Sequence, residues 1–116
     1  MKRFIVQLTI GLSMTAFLLV ALAAYRGARR DAQKHTCIYA LGVLEDVKRR
    51  WAEENSKMNG DEVRDSDLRK YFKGGIMPSC EAGGTFTIRP VGTPPKCSVK
   101  GHALPEEAAR SATRPR

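Results

Sequence analysis

Residues 4–24 read FIVQLTIGLSMTAFLLVALAA, from Phe4 to Ala24. None of these 21 residues carries a charge. A helix rises about 1.5 Å per residue, so this length spans roughly 31 Å, against about 30 Å for a bilayer core. The stretch therefore predicts one membrane-spanning helix bounded by Phe4 and Ala24, with membrane lipid as its partner. Gln7, Thr9, Ser13 and Thr15 are polar but uncharged. The hydroxyls of Thr9, Ser13 and Thr15 can bond back onto their own helix, which makes them tolerable in lipid. The remainder of a 116-residue chain is too small to wrap such a helix in a soluble core.

Just before this stretch, Lys2 and Arg3 make a short basic region. Ala21-Leu22-Ala23 fits a small-x-small cleavage site, so a cleavable signal peptide is the competing reading. The apolar run exceeds the usual signal core of about 7–15 residues, which favours retention. Either reading exports residues 25–116. Beyond the stretch lie Arg26, Arg29, Arg30 and Lys34, so positive charge flanks it on both sides and does not set orientation by itself. The cysteines favour export. Cys80 and Cys97 sit in a loop-rich region with little to bury, where a disulfide commonly stands in for a core. The expected location is the inner membrane, single-pass, with a C-terminal head in the periplasm.

Further along, Tyr25 and the arginines suit the headgroup layer. No proline occurs before Pro78. Cys37, Leu44, Trp51 and Met58 recur every seven residues, and Ala40, Leu41 and Val47 fill the same stripe. Glu45, Asp46, Arg49 and Glu53 lie opposite, and Glu45–Arg49 and Asp46–Arg50 have favourable i,i+4 spacing. An amphipathic helix over residues 36–58 follows, packing through Cys37, Leu44, Trp51 and Met58 and ending at Asn59-Gly60. Joined to the membrane segment, it would make one rod of about 80 Å. Asp65 or Ser66 can cap a short helix through Phe72, which Gly74-Gly75 stops. Thr85–Arg89 alternates with β propensity, placing Phe86 and Ile88 on one face. Pro90–Pro95 is a turn, and Lys96–Val99 is the candidate return strand. The fold class is α+β: a long N-terminal helix, a short helix and a small antiparallel sheet. The divisions are a membrane segment at 1–24, a head at 25–102 and a disordered tail at 103–116.

Three cysteines allow three pairings with one thiol left over. Cys80 and Cys97 flank the hairpin, and joining them would close an 18-residue loop worth about 3 kcal/mol. Cys37 on the apolar face reads as a small buried hydrophobe, and a pairing that uses it is the rival. Sequence spacing points to no metal. No two cysteines have zinc-knuckle spacing, and His35 and His102 are far apart. The arrangement left open is a cluster of Cys37, Cys80 and Cys97 with a histidine. Asp61, Glu62, Asp65 and Asp67 lack calcium-loop spacing and read as capping and solvation. Two histidines outside any motif provide no base for a nucleophile, and no Gly-Lys-Ser/Thr follows the glycine pairs. No enzyme and no cofactor are expected. The net charge is +8, and +6 without Lys2 and Arg3. That suits anionic headgroups near Arg26–Lys34. Aromatic–basic interleaving is absent, so nucleic acid is not an expected partner.

Residues 37–105 resemble small type II secretion pseudopilin-like and type IV pilin-like proteins, of the kind found in Verrucomicrobia and Lentisphaerae. The resemblance is carried by Leu44-Glu45-Asp46-Val47-Lys48-Arg49-Arg50-Trp51-Ala52-Glu53-Glu54-Asn55, by Gly60-Asp61, Asp67-Leu68 and Tyr71, and by Lys73-Gly74-Gly75. Its most specific part is Met77-Pro78-Ser79-Cys80-Glu81-Ala82-Gly83-Gly84-Thr85-Phe86-Thr87-Ile88. After it come Pro90-Val91-Gly92-Thr93-Pro94-Pro95-Lys96-Cys97-Ser98-Val99 and Gly101-His102. The resemblance implies a lollipop fold and a non-enzymatic structural subunit. Such subunits stack through their N-terminal helices, as homo- or hetero-oligomers, into a secretion piston or a pilus. The start departs from the family pattern. No Gly precedes Phe4, and none of Val6, Gln7 and Leu8 is the acidic residue that would neutralise a neighbour's amine. Residues 90–102 contain no Asp or Glu for the family's calcium loop. The alternative is a membrane-tethered or secreted small binding module with a pilin-like head and no fibre role.

Overall fold

Without a proline before Pro78, nothing removes a backbone donor from the first half of the chain. In the computed structural model, which describes residues 1–105, that half forms one helix, α1, over Lys2–Glu54. The residues fall into two compact units, Met1–Ala32 and Gln33 onwards.

In the first unit every residue is exposed, including Phe4, Leu12, Phe17 and Leu18. α1 carries a stretch long and apolar enough to cross a membrane, and none of it is buried. The hydroxyl of Thr9 donates to the Val6 carbonyl at 2.9 Å, and that of Thr15 to the Leu12 carbonyl at 2.9 Å. These internal bonds spare the side chains an unmet polar group in an apolar surrounding.

In the second unit α1 buries Cys37, Leu41, Leu44, Lys48, Trp51 and Ala52. It is followed by α2 (Asp65–Leu68), two short 3-10 turns (Arg69–Tyr71 and Lys73–Gly75), and strands β1 (Phe86–Thr87) and β2 (Lys96–Cys97). The strands pair antiparallel, with Phe86 opposite Cys97 and Thr87 opposite Lys96. Leu44, Trp51, Ala52, Val63, Leu68 and Val91 form the main core, with Phe72, Met77, Phe86 and Ile88 packed against it. Phe86 and Ile88 share the inner face as their alternation implies, while Thr87 is exposed. Cys37, Leu41, Cys80 and Cys97 form a second cluster, covered by Phe86, Val99 and Leu104. The layout is α+β.

Several expectations are corrected. α1 ends at Glu54, before Asn59-Gly60. Ser56 adopts a left-handed conformation (φ 52°). The N–H of Lys57 donates to Ala52 at 2.8 Å and that of Ser56 to Glu53 at 3.4 Å. This is the Schellman pattern, with Ser in the position that Gly usually occupies. Met58 follows the heptad but lies past the stop and is 76% exposed, so it does not belong to the packing face. On the surface of α1 Arg49 pairs with Asp46 and Arg50 with Glu54, and Glu45 lies 2.7 Å from the buried Lys48 instead of pairing with Arg49. Asp65 and Ser66 lie inside the first turn of α2. It is Asp67 that reaches back to the backbone N–H of Arg64, at 3.0 Å. Both strands are two residues long, since Thr85 and Ser98 are joined by a backbone bond and a side-chain bond beyond the ladder. Ala103 and Leu104 are half-buried, and Leu104 closes over Gly42 of α1. Residues 106–116 of the expected tail lie outside the described residues.

Candidate functional site

Four side chains from four places in the second unit converge. α1 supplies Cys37, and the turn after the 3-10 segment supplies Cys80. β2 supplies Cys97, and the turn that follows it supplies His102. The three sulfurs and the imidazole nitrogen all lie within 4.8 Å of one another, and all four residues are buried. The Sγ of Cys80 is 3.5 Å from Nδ1 of His102.

Local structure explains how so few residues aim so well. The N–H of Gly83 donates to the Cys80 carbonyl at 3.1 Å, which closes a turn that Gly83 completes with φ 83°. That turn directs the backbone N–H groups of Ala82 and Gly84 at the Cys80 sulfur. Gly84 then passes against β2. A Cβ there would fall 2.8 Å from the Cys97 sulfur and 2.7 Å from Val99 Cγ2, so only glycine fits. After β2 the N–H of Val99 donates to the Cys97 sulfur at 3.5 Å. The N–H of His102 donates to the Val99 carbonyl at 3.2 Å, which turns the imidazole back inward.

The electrostatics favour a negative sulfur at Cys80. Burial raises its thiol, but hydrogen bonds from Cys37, from the N–H groups of Ala82 and Gly84 and from His102 outweigh that and bring it down to about 6. Burial pushes the Cys37 thiol up, and its neighbours Cys80 and Cys97 add to the shift.

Sequence reasoning placed Cys80 and Cys97 together as a disulfide. The structure brings their side chains together without joining the sulfurs. The pair is not isolated: Cys37 and His102 share the same pocket, so four donors meet where two were expected. Cys37, Cys80 and Cys97 are far apart along the chain, and the fold removes that separation in space. Cys37, Cys80, Cys97 and His102 are the residues that could hold a metal ion. This is the cluster of three cysteines and a histidine that the sequence left open; the histidine is His102, and the Cys97-x4-His102 spacing is its local trace. His35 is exposed on α1 and takes no part. Of the packing face, Cys37, Leu44 and Trp51 are buried as the heptad implies. The acidic run does structural work: Asp61 accepts from the N–H of Met58 at 2.9 Å, and Asp67 from that of Arg64.

No protein-family model matches this chain, nor does any curated protein or solved structure.

Proposed function

We propose that the chain is a non-enzymatic, membrane-anchored structural subunit of pilin-like design, working in a type II secretion or type IV pilus-like assembly. The observation that carries this reading is that residues 4–24 are uncharged and wholly exposed, on the same helix that goes on to build the core of the head. Twenty-one exposed apolar-to-neutral residues need lipid or like helices around them. The order of long helix, short helix and cysteine-bearing hairpin supports it, as does the resemblance of residues 37–105. The partners are membrane lipid and other pilin-like subunits, met through the N-terminal part of α1. The head lies in the periplasm.

The second reading is a membrane-tethered or secreted binding module without a fibre role. It is favoured by the absence of any acidic side chain in residues 4–24, since a bundle of such helices would leave each N-terminal amine unneutralised in lipid.

A photo-reactive benzoylphenylalanine at Phe17, in intact membranes, separates the two. Protein adducts to copies of this chain or to like-sized subunits support assembly. Adducts to lipid alone in an alkali-resistant membrane fraction support the tethered module, and recovery in the soluble fraction supports the secreted one. An alkaline phosphatase domain fused after Pro105 tests orientation: activity places the head in the periplasm, and a stable but inactive fusion places it in the cytoplasm.

A further inference from the structure

We propose that Cys37, Cys80, Cys97 and His102 form a closed, tetrahedral, structural zinc site that ties α1 to the β1–β2 hairpin. Structural zinc takes four Cys or His ligands, with Zn–S of about 2.3 Å and Zn–N of about 2.0–2.1 Å. A tetrahedron of those dimensions has ligand–ligand edges of about 3.5–3.8 Å. The Cys80 Sγ to His102 Nδ1 separation is 3.5 Å, and every edge is bounded by 4.8 Å. The four donors come from different parts of the head and lie within 4.8 Å of one another, and none of the four residues is more than 8% exposed. All four ligands are supplied by buried protein side chains, as in a structural and not a catalytic site. Three thiolates and one imidazole select zinc among the common divalent ions, whereas magnesium and calcium require oxygen ligands.

The surroundings fit a metal thiolate. The N–H of Val99 points at Cys97, and those of Ala82 and Gly84 point at Cys80, so the sulfur charge meets backbone dipoles. A Cys80–Cys97 disulfide would use two of the four donors and leave Cys37 and His102 buried without a role. Zinc uses all four. Binding is a simple exchange: one Zn²⁺ enters, the three thiols release three protons to solvent, and His102 gives the Nδ1 lone pair. No electron moves. The resulting unit carries one net negative charge within a chain of net charge +8. The head needs such a tie. Its sheet has two residues per strand, and below a certain core size metals commonly supply the missing stability.

The test uses the full chain, purified in detergent micelles from zinc-supplemented cells under reductant. Metal analysis should find one zinc per chain. Cobalt(II) exchanged for zinc should show tetrahedral d–d bands with thiolate-to-cobalt charge transfer. Losing an outer partner of a zinc ligand weakens binding by about 10–100-fold, so Cys37→Ser and His102→Ala should each weaken zinc retention against a chelator by at least that. His102→Cys restores a fourth sulfur ligand and should keep the zinc, which separates loss of a ligand from loss of the fold. Substoichiometric zinc together with a non-reduced mass two hydrogens below the thiol form would overturn the site in favour of the disulfide. Wild-type zinc retention in Cys37→Ser would overturn it too, as would zinc loss in His102→Cys with native Trp51 fluorescence.

Discussion

Lys48, on the inner face of α1, donates through Nζ to the backbone carbonyl of Thr93, in the loop between the two strands and 45 residues along the chain. The same nitrogen lies 2.7 Å from Glu45 Oε2. Lys48 is 1% exposed, so its charge is buried and its stem is part of the packing. The bond clamps the Thr93-Pro94-Pro95 segment, whose prolines are fully buried, onto the helix. Lys48→Met keeps the stem and removes the charge, leaving the Thr93 carbonyl and Glu45 unmatched. A hydrogen bond to a charged group contributes about 1.5–3 kcal/mol, so a loss of about 2 kcal/mol is expected. Lys48→Ala should lose more, because packing goes as well. Trp51, the single tryptophan and 6% exposed, reports the unfolding of the full chain in micelles under urea. A Lys48→Met variant as stable as the parent would show that the clamp is ornamental.

Ser56 occupies the left-handed position that stops α1. A residue with a side chain there bears roughly 1–2 kcal/mol of strain that glycine does not. Ser56→Gly should therefore stabilise the head by about 1 kcal/mol, which for a domain of this size raises Tm by about 4–8 °C. Ser56→Val should do the reverse. If both substitutions leave the Trp51 transition unmoved, the stop of α1 is set elsewhere.

What could be read from the sequence was what is local. The uncharged run from Phe4 to Ala24, the proline-free helix and the burial of Cys37, Leu44 and Trp51 all follow from spacing and charge along the chain. The hairpin around Phe86 and Cys97 follows from alternation between glycines and prolines. The misses share a cause. Lys48 sits on the same stripe as Leu44 and Trp51, but its charge disguised an inward position that only Thr93 makes tenable. Met58 keeps the heptad, yet one backbone angle at Ser56 takes it off the helix. The meeting of Cys37 with Cys80, Cys97 and His102 depends on where α1, a turn and β2 come together, and only the short Cys97–His102 spacing foreshadows it.

The hydroxyl of Tyr71 donates to a carboxylate oxygen of Glu54, joining the turn after α2 to the last residue of α1. The bond holds Glu54 below its ordinary value of 4.5, with Arg50 assisting, and holds Tyr71 above its ordinary value of 10.0. A lowered carboxyl contributes stability above its unfolded value and loses it as pH falls through the folded one. A raised phenol contributes below its unfolded value and loses it as pH rises through the folded one. The contact is thus fully present only between about 4.5 and 10. Subtracting the pH–stability profile of Tyr71→Phe from that of the parent should give a plateau over this window, falling at both edges. A flat difference would mean that the bond does not survive in solution.

Gly84 stands between Cys80, Cys97 and Val99 with no room for a methyl group. A Cβ would approach Val99 Cγ2 to 2.7 Å, the Cys97 sulfur to 2.8 Å and Cys80 Cβ to 3.3 Å. Because these neighbours belong to the hairpin itself, they cannot swing away as a surface side chain could. Gly84→Ala should destabilise the head by about 1–3 kcal/mol, as overpacking does. It should also spread the cysteine–histidine cluster. Reaction of the folded protein with an aromatic disulfide reagent, slow while Cys37, Cys80 and Cys97 are buried, should then quicken. Gly27→Ala is the control: nothing lies within 4 Å of its added Cβ, and alanine favours the helix there by about 1 kcal/mol. Faster thiol reaction in Gly84→Ala alone would place the hairpin's tight approach in command of the cluster. Equal rates in the two variants would show that the hairpin yields and that the cluster holds by its own contacts.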